Sequence, residues 1–305
     1  MKSAIVVDST ASLSEELKNH PDIYQIDLLV TYSDGEVIKD TTDAAVLKGF
    51  YERMTHEKEL PTTSQPEPIH LYRVMEKIIE KDYDSVYCIH LSDKISGTFK
   101  TSRMITNEFR DAINVYMVDS KGTSFIIESM VKQALTMIEA GLEGEEIQRQ
   151  LEWVADRAKI YVMFETLSNL VKGGRVSSIS GFIGSALKIK PIVYFDKGEV
   201  KVFEKVRTTK RVIKRWQELV REAVKDYPNG IEIVFAHGDA EEEILSIKEM
   251  IQDEFPDISF RVGYLTPVLG VHGGKGCKGM GIIPLAKSYS EVTKSGYQAQ
   301  KAAVG

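Results

Sequence analysis

An α/β protein in two domains is what this sequence predicts, and three observations predict it. Short apolar runs rich in strand formers alternate with amphipathic stretches through the first half, the mark of a parallel sheet wound with helices. Beyond about residue 158 the alternation acquires a hairpin, which makes the second half a mixed-sheet α+β arrangement. The chain has 305 residues, long for one core, so two units of roughly 150 residues are the default. The expected division is 1–158, then 159–287, then a polar tail over 288–305.

In chain order, residues 3–8 form a first strand, and Ser12-Leu13-Ser14-Glu15 reads as a capping box that opens a short helix. Ile23 to Tyr32 is apolar and extended, and Asp34-Gly35 turns it back into residues 36–39. Ala44 to Met54 carries Val46, Leu47, Phe50, Tyr51 and Met54 at helical spacing. Pro61, Pro66 and Pro68 stop that helix, because proline lacks a donor and holds the chain extended. Helix 69–81, strand 86–91, helix 98–109, strand 114–118 and helix 124–140 then alternate. Three strands end in short polar residues, Asp8-Ser9-Thr10, Ser92-Asp93 and Asp119-Ser120. Open parallel sheets seat ligands beyond such strand ends, although the same residue types also turn chains and cap helices.

The second half reads as helix 145–158, strand 160–164, helix 167–171, then Lys172-Gly173-Gly174-Arg175 and helix 182–188. Strand 192–195 turns at Asp196-Lys197-Gly198 into strand 199–206. Two helix–strand pairs follow, 209–227 with 231–236 and 240–255 with 259–264. A glycine-rich loop through His272 to Gly281 leads into 282–287, and the remainder reads as a frayed appendage.

Composition removes several classes. A formal net charge of −6 argues against a polyanion such as nucleic acid as the main partner. No apolar run approaches the ~18 residues of a membrane span, and the chain opens directly into a strand without a signal segment, so a cytoplasmic location is expected. Cys88 and Cys277 belong to no Cys-x-x-Cys pair, and no further ligands cluster with His272, so neither a disulfide nor a metal is expected. The run Gly274–Gly279 formally matches the dinucleotide fingerprint but leads into a strand-like segment instead of a helix. The phosphate loop, Gly-x-Ser-x-Gly and His-Glu-x-x-His are absent, and no cofactor is expected.

What remains is a set of hydroxyls. Ser96-Gly97-Thr98 stands where a helix starts, and free N–H groups there suit a small anion, or simply a cap. With Thr62, Thr63, Ser64 and His272 it forms a set rich in donors and poor in formal charge. Several hydrogen bonds to an ionised acceptor, roughly 1.5–3 kcal/mol each, could hold a carboxylate. Phe182, Ile183, Leu187 and Ile189, with Met130, Val131, Leu135 and Met137, are available to line a cavity or to serve as ordinary core. The enzymatic alternative is a Ser–His acyl hydrolase using Ser96 and His272, for which no spacing identifies a third group.

Taken together these residues resemble the DegV family of bacterial fatty-acid-binding proteins, called FakB where they serve a fatty acid kinase. The resemblance spans roughly residues 2–287 and rests on several segments in order. They are Val7-Asp8-Ser9, Thr63-Ser64-Gln65-Pro66, Leu91-Ser92 with Ser96-Gly97-Thr98, Lys172-Gly173-Gly174-Arg175-Val176-Ser177, Ile189-Lys190-Pro191-Ile192, Lys205-Val206-Arg207 and Val268-Leu269-Gly270-Val271-His272. It implies a Rossmann-like N-terminal domain and a mixed C-terminal domain with a long-chain fatty acid between them. The carboxylate would meet Thr63, Ser64, Ser96, Gly97, Thr98, His272 and Gly273, with Arg175 near the headgroup or clamping the domains. The acyl chain would run beneath Phe182, Ile183 and Leu187.

The resemblance further implies a separate ATP-dependent kinase that phosphorylates the presented carboxylate; a lipid sensor without a kinase is the other reading. Arg207, Lys210, Arg211, Lys214 and Arg215 crowd the start of one expected helix, with Arg207, Arg211, Lys214 and Arg215 on one face. Cations there oppose the helix dipole, so Arg207 and Arg211 are read as a docking surface for that partner. The family pattern His-Thr-Gly-Pro-Gly is replaced by His272-Gly273-Gly274-Lys275-Gly276, which is expected to loosen the loop and add a cation near the headgroup.

Overall fold

The structure is a computed structural model that describes residues 2–176 and 190–304. The helix expected over 182–188, and with it Phe182, Ile183, Leu187 and Ile189, lies outside the described residues. The N-terminal half supplies β1 (Ser3–Asp8), α1 (Glu15–Lys18), β2 (Ile23–Ile26), β3 (Leu29–Thr31), β4 (Val37–Lys39), α2 (Ala44–Met54) and β5 (Thr62–Ser64). It continues with α3 (Pro68–Glu80), β6 (Ser85–His90), α4 (Thr98–Asn107), β7 (Asn114–Asp119), α5 (Phe125–Glu139) and α6 (Gly144–Arg157). The C-terminal half supplies β8 (Lys159–Met163), α7 (Ser168–Lys172), β9 (Lys190–Asp196), β10 (Glu199–Val206), α8 (Thr209–Asp226) and β11 (Ile231–His237). After these come α9 (Glu241–Gln252), β12 (Ser259–Tyr264), α10 (Pro267–Gly273), β13 (Lys278–Pro284) and α11 (Lys287–Val304).

A parallel sheet in the order β2-β1-β6-β7 forms the first half, and a mixed sheet in the order β10-β9-β8-β13-β11-β12 forms the second. In the mixed sheet only β11 and β12 run parallel; the other described pairs are antiparallel. Helices α5 and α6 are packed between the two sheets. Met130, Val131 and Met137 of α5 and Leu151 of α6 meet Ile5, Val7 and Ile89 on one side and Val234 and Ile283 on the other. On the outer face of the parallel sheet, α3 and α4 pack Leu71, Met75 and Ile105 on Val6, Val86 and Cys88. On the outer face of the mixed sheet, Trp216 of α8 and Ile244 of α9 cover Phe235, Met280 and Ile282. Covering on both faces explains why β1, β6 and β13 are buried along their whole length.

A third, small sheet in the order β4-β3-β5 joins α2 and α10 in a separate apolar cluster built on Val30, Leu47, Phe50, Tyr51, Val268 and Val271. It fastens α10 to the N-terminal half. Asp40 reinforces the join, accepting from the Val268 amide at 2.8 Å and the Ser9 hydroxyl at 2.9 Å. The Tyr51 hydroxyl donates to the Leu265 carbonyl at 3.0 Å.

Several expectations are corrected. The extended stretch from Ile23 splits into β2 and β3, which belong to different sheets, while the turn at Asp34-Gly35 forms as expected. The capping box does not form: Ser12 takes a left-handed conformation (φ 53°) after a short turn at Ser9–Ala11, and α1 begins only at Glu15. The frayed appendage expected after residue 287 is helical over the described residues. It forms α11, which begins with Tyr289 against the central core and Ser290 buried, its hydroxyl donating to the Asn229 carbonyl at 2.7 Å. Arg207 precedes the Thr208 cap of α8 and so is not on its face, and Arg215 is held by Glu204, Glu218 and Glu222.

Candidate ligand cavity

The parallel sheet ends at Asp8, His90 and Asp119, and its carboxyl edge is organised by a fully buried polar network. Asp8 accepts from the Leu91 amide at 2.8 Å and the Thr10 amide at 3.1 Å, and lies 3.3 Å from His90 Nδ1. His90 Nε2 in turn lies 2.8 Å from Ser102 Oγ on α4. These bonds fix the path of the loop between β6 and α4, which carries Ser96 and Gly97. The Ser92 hydroxyl pins the same loop to the mixed sheet by donating to the Gly198 carbonyl, 2.9 Å away, in the β9–β10 turn.

Between this edge and the inner face of the mixed sheet lies a cavity of about 220 Å³. Its mouth is formed by Thr63, Ser64, Gln65, Ser96, Gly97, Arg175, His272 and Gly273, and its body mostly by aliphatic and aromatic side chains, with Thr123, Ser124, Cys277, Gly279 and Gly281. Thr63 Oγ1 stands 3.0 Å from His272 Nε2, two groups 209 residues apart in sequence. Thr63 is placed by β5, whose pairing with β3 sets Thr63 opposite Val30. His272 sits in the last turn of α10, beside Gly173, where an added side chain would collide with the ring. Burial, with the Arg175 guanidinium second, pushes the His272 pKa down to about 4, so the ring is neutral at pH 7. Its Nδ1 is buried without a partner among the described residues.

Arg175 donates from Nη1 to the Gly173 carbonyl at 2.6 Å and from Nε to the Ile95 carbonyl at 3.3 Å, tying the end of α7 to the loop before α4. Ser96 Oγ lies 2.9 Å from Thr98 Oγ1. A Cβ at Gly97 would be 2.7 Å from Gln65 Oε1, the end of a side chain that also accepts from the Thr101 hydroxyl at 3.1 Å and would have to shift.

The structure therefore brings Thr63, Ser64, Ser96, Gly97, Arg175, His272 and Gly273 around one mouth. Thr98 does not line it; it is buried beneath Ser96, whose hydroxyl it engages. Met130, Val131 and Met137 belong to the central core, and Leu135 packs against it, so none forms a cavity wall. His272 is not a loop residue, since it stands on a helix, and Thr63 stands on a strand. Lys275 does not add charge to the mouth either, because its Nζ pairs with Asp239 at 2.8 Å. The hydrolase geometry is not assembled: His272 Nε2 faces Thr63, and Ser96 is engaged by Thr98. Among the described residues no cluster of potential metal ligands is present, and no helix is long and apolar enough to cross a membrane.

Sequence reasoning missed Thr123, Ser124 and Phe125, which line the cavity at the start of α5. They follow Asp119-Ser120 after Lys121-Gly122, so the strand-end rule that singled out that pair also points to them. The Thr123 hydroxyl is buried without a partner among the described residues. Gly279 and Gly281 were hidden inside a run that read as a loop; they belong to β13, where a Cβ on Gly281 would stand 2.6 Å from Val234 Cγ2.

Fold and cavity together define an α/β protein whose two sheets enclose an apolar chamber with a hydroxyl- and imidazole-lined mouth. Comparison with known proteins agrees. The chain belongs to the DegV family: the family model described as "Uncharacterised protein, DegV family" matches residues 2–285. Protein DegV of Bacillus subtilis is 36% identical over 282 residues, covering 92% of this chain and 98% of that protein. Among solved structures, DegV, a fatty acid binding protein from Bacillus subtilis, is 35% identical, with a TM-score of 0.82 over 93% of this chain and 99% of the other. The fatty acid binding DegV family protein SAG1342 from Streptococcus agalactiae is 28% identical, with a TM-score of 0.85 over 93% of this chain and 99% of the other.

Proposed function

We propose that this protein binds one long-chain fatty acid, with the carboxylate at the polar mouth and the acyl chain in the cavity. The carrying observation is the Thr63–His272 pair, 3.0 Å apart, at the entrance of a mostly apolar chamber. The relatives described as fatty acid binding support the reading. A carboxylate accepts hydrogen bonds and donates none. Around it stand the hydroxyls of Thr63, Ser64 and Ser96, the Gly97 amide and the Arg175 guanidinium. A neutral His272 has one N–H: donated from Nε2 to Thr63 Oγ1, it leaves the Thr63 hydroxyl proton free for the carboxylate. Thr98 orients the Ser96 hydroxyl, and Gly273 lets the backbone beside His272 approach Cys277, whose Sγ a Cβ there would meet at 2.8 Å. No cofactor enters this reading, and residues 1–158 and 159–287 act as the two domains that close on the ligand.

The test is a titration of delipidated protein with a long-chain acid and with the alcohol of equal length. The acid should bind at least about tenfold more tightly, one charge-assisted bond's worth. Equal affinity for the alcohol contradicts the assignment of the mouth.

The same reading makes the protein a substrate-presenting subunit: a separate cytoplasmic kinase transfers phosphate from ATP to the bound carboxylate, giving an acyl phosphate. Arg207 and Arg211 are exposed and make no ion pair among the described residues, which suits a docking surface for an acidic partner. Arg207→Glu with Arg211→Glu should leave ligand affinity unchanged and abolish kinase-dependent phosphorylation; unchanged phosphorylation removes the docking assignment.

A further inference from the structure

We infer that Phe125 is the residue that sets how long an acyl chain the cavity accepts, an inference that rests on the fatty-acid reading above. Strand register carries it. Ala236 of β11 pairs with Gly279 of β13 on one side and with Gly263 of β12 on the other. Side chains alternate across a strand, and paired positions share a face. Gly279, Ala236 and Gly263 therefore make a row of minimal side chains across three strands, on the face that looks toward α5. The first two line the cavity and the third does not. The Phe125 ring occupies the space above Gly263, so that a Cβ there would collide with its edge.

The row thus forms a groove with one closed end. Beside that end, Arg261 stands on the same face of β12 in the neighbouring row with Val234 and Gly281, its guanidinium 5.8 Å from the Phe125 ring centroid. It is paired with Glu128 of α5 and with Glu232, whose Oε1 accepts from Arg261 Nε at 2.6 Å. An apolar chain gains nothing by reaching charged groups. The ring therefore separates the groove from an ion cluster. The backbone supports the placement: Ser124, immediately before Phe125, is held at φ 59°, a conformation that L residues rarely adopt.

Trimming the ring uncovers Gly263 and lengthens the groove, whereas a side chain added at Gly279 interrupts it upstream. The space at Gly279 admits one, since a Cβ there meets its first neighbour, Val162 Cγ2, at 3.7 Å. The experiment measures affinities for saturated acids of increasing length by competition on the delipidated full-length protein, for wild type, Phe125→Ala, Phe125→Leu and Gly279→Val. Phe125→Ala should shift the ratio of long to short acids by about tenfold or more toward the long ones, which corresponds to about 1.4 kcal/mol. Phe125→Leu should shift it less in the same direction and supplies the readout if the alanine variant does not fold. Gly279→Val should shift it toward shorter acids. An unchanged ranking in a Phe125 variant that still binds fatty acid overturns this inference alone. Failure of the wild type to bind any acid overturns it together with the fatty-acid reading.

Discussion

The two walls of the cavity are built on opposite principles. The wall from the parallel sheet is backed by an over-determined polar frame: Asp8, His90, Ser102 and Ser92 each hold the backbone or one another, and none of the four is exposed. The wall from the mixed sheet is apolar and permissive, with glycine at 279 and 281 and branched or aromatic side chains between. A carboxylate is recognised by donors fixed to within a fraction of an ångström, which demands a rigid frame. A hydrocarbon chain is recognised by the shape of what is absent, which demands only the right space. Changes to the first wall should therefore alter whether anything binds, and changes to the second should alter what binds.

The largest effect expected from breaking that contrast is at Asp8. Asp8→Ala removes the acceptor for two buried amides and the neighbour of His90, and should cost about 3–5 kcal/mol in urea unfolding. A loss below about 1 kcal/mol would show that the polar wall is not the rigid one. Next is Thr63→Val, which keeps the shape of a half-buried residue and deletes its hydroxyl. Fatty acid affinity should fall by about 10- to 100-fold, with stability nearly unchanged. A fall in stability without a fall in affinity would reverse the assignment.

Acid sharpens the contrast in a different way. Burial holds both His272 and His237 down at about 4. The unfolded chain takes up these protons below about pH 6.5 and the folded one only near 4. Their contribution to stability is therefore complete above about pH 6.5 and is lost as pH falls through 4. Asp40 acts with the opposite sign, because burial lifts its carboxyl to about 7 and the folded protein binds that proton first. Its contribution is present below about pH 4 and lost as pH rises through 7. Two protons against one leave the unfolded state favoured by acid, with a slope of about 1.4 kcal/mol per pH unit between these limits. Asp40→Asn should about double that slope in pH-dependent urea melts, and an unchanged slope would show that Asp40 is ionised in the folded protein. The smallest expected effect is that of Arg211→Glu on fatty acid affinity: none, since Arg211 is not a lining residue.

The two walls also differ in how legible they were. Periodicity located the elements wherever one face meets a core: α2 spans Ala44–Met54, the bounds its apolar spacing predicts. The polar wall was legible because strand ends announce themselves in short polar residues, which points to Ser96 and Gly97, while Thr63 followed from its hydroxyl-rich, proline-bounded segment and the family resemblance. His272 was found, but its setting was misread. Glycines on both sides suggest a loop, whereas Pro267 starts a helix that Asp40 and the Phe50–Tyr51 cluster hold in place from more than 200 residues away. The permissive wall was nearly silent, because an empty space is defined by residues that do not fill it. Gly279 and Gly263 acquire meaning only once register sets them on one face, and Phe125 only once its ring is seen over Gly263.

The most direct measurement is to denature the purified full-length protein and identify by mass spectrometry what it carried. The account predicts a long-chain fatty acid at close to one per chain in the wild type, and much less in the Thr63→Val variant purified in the same way. Recovery of no fatty acid, even after incubation with an excess of one, would contradict it.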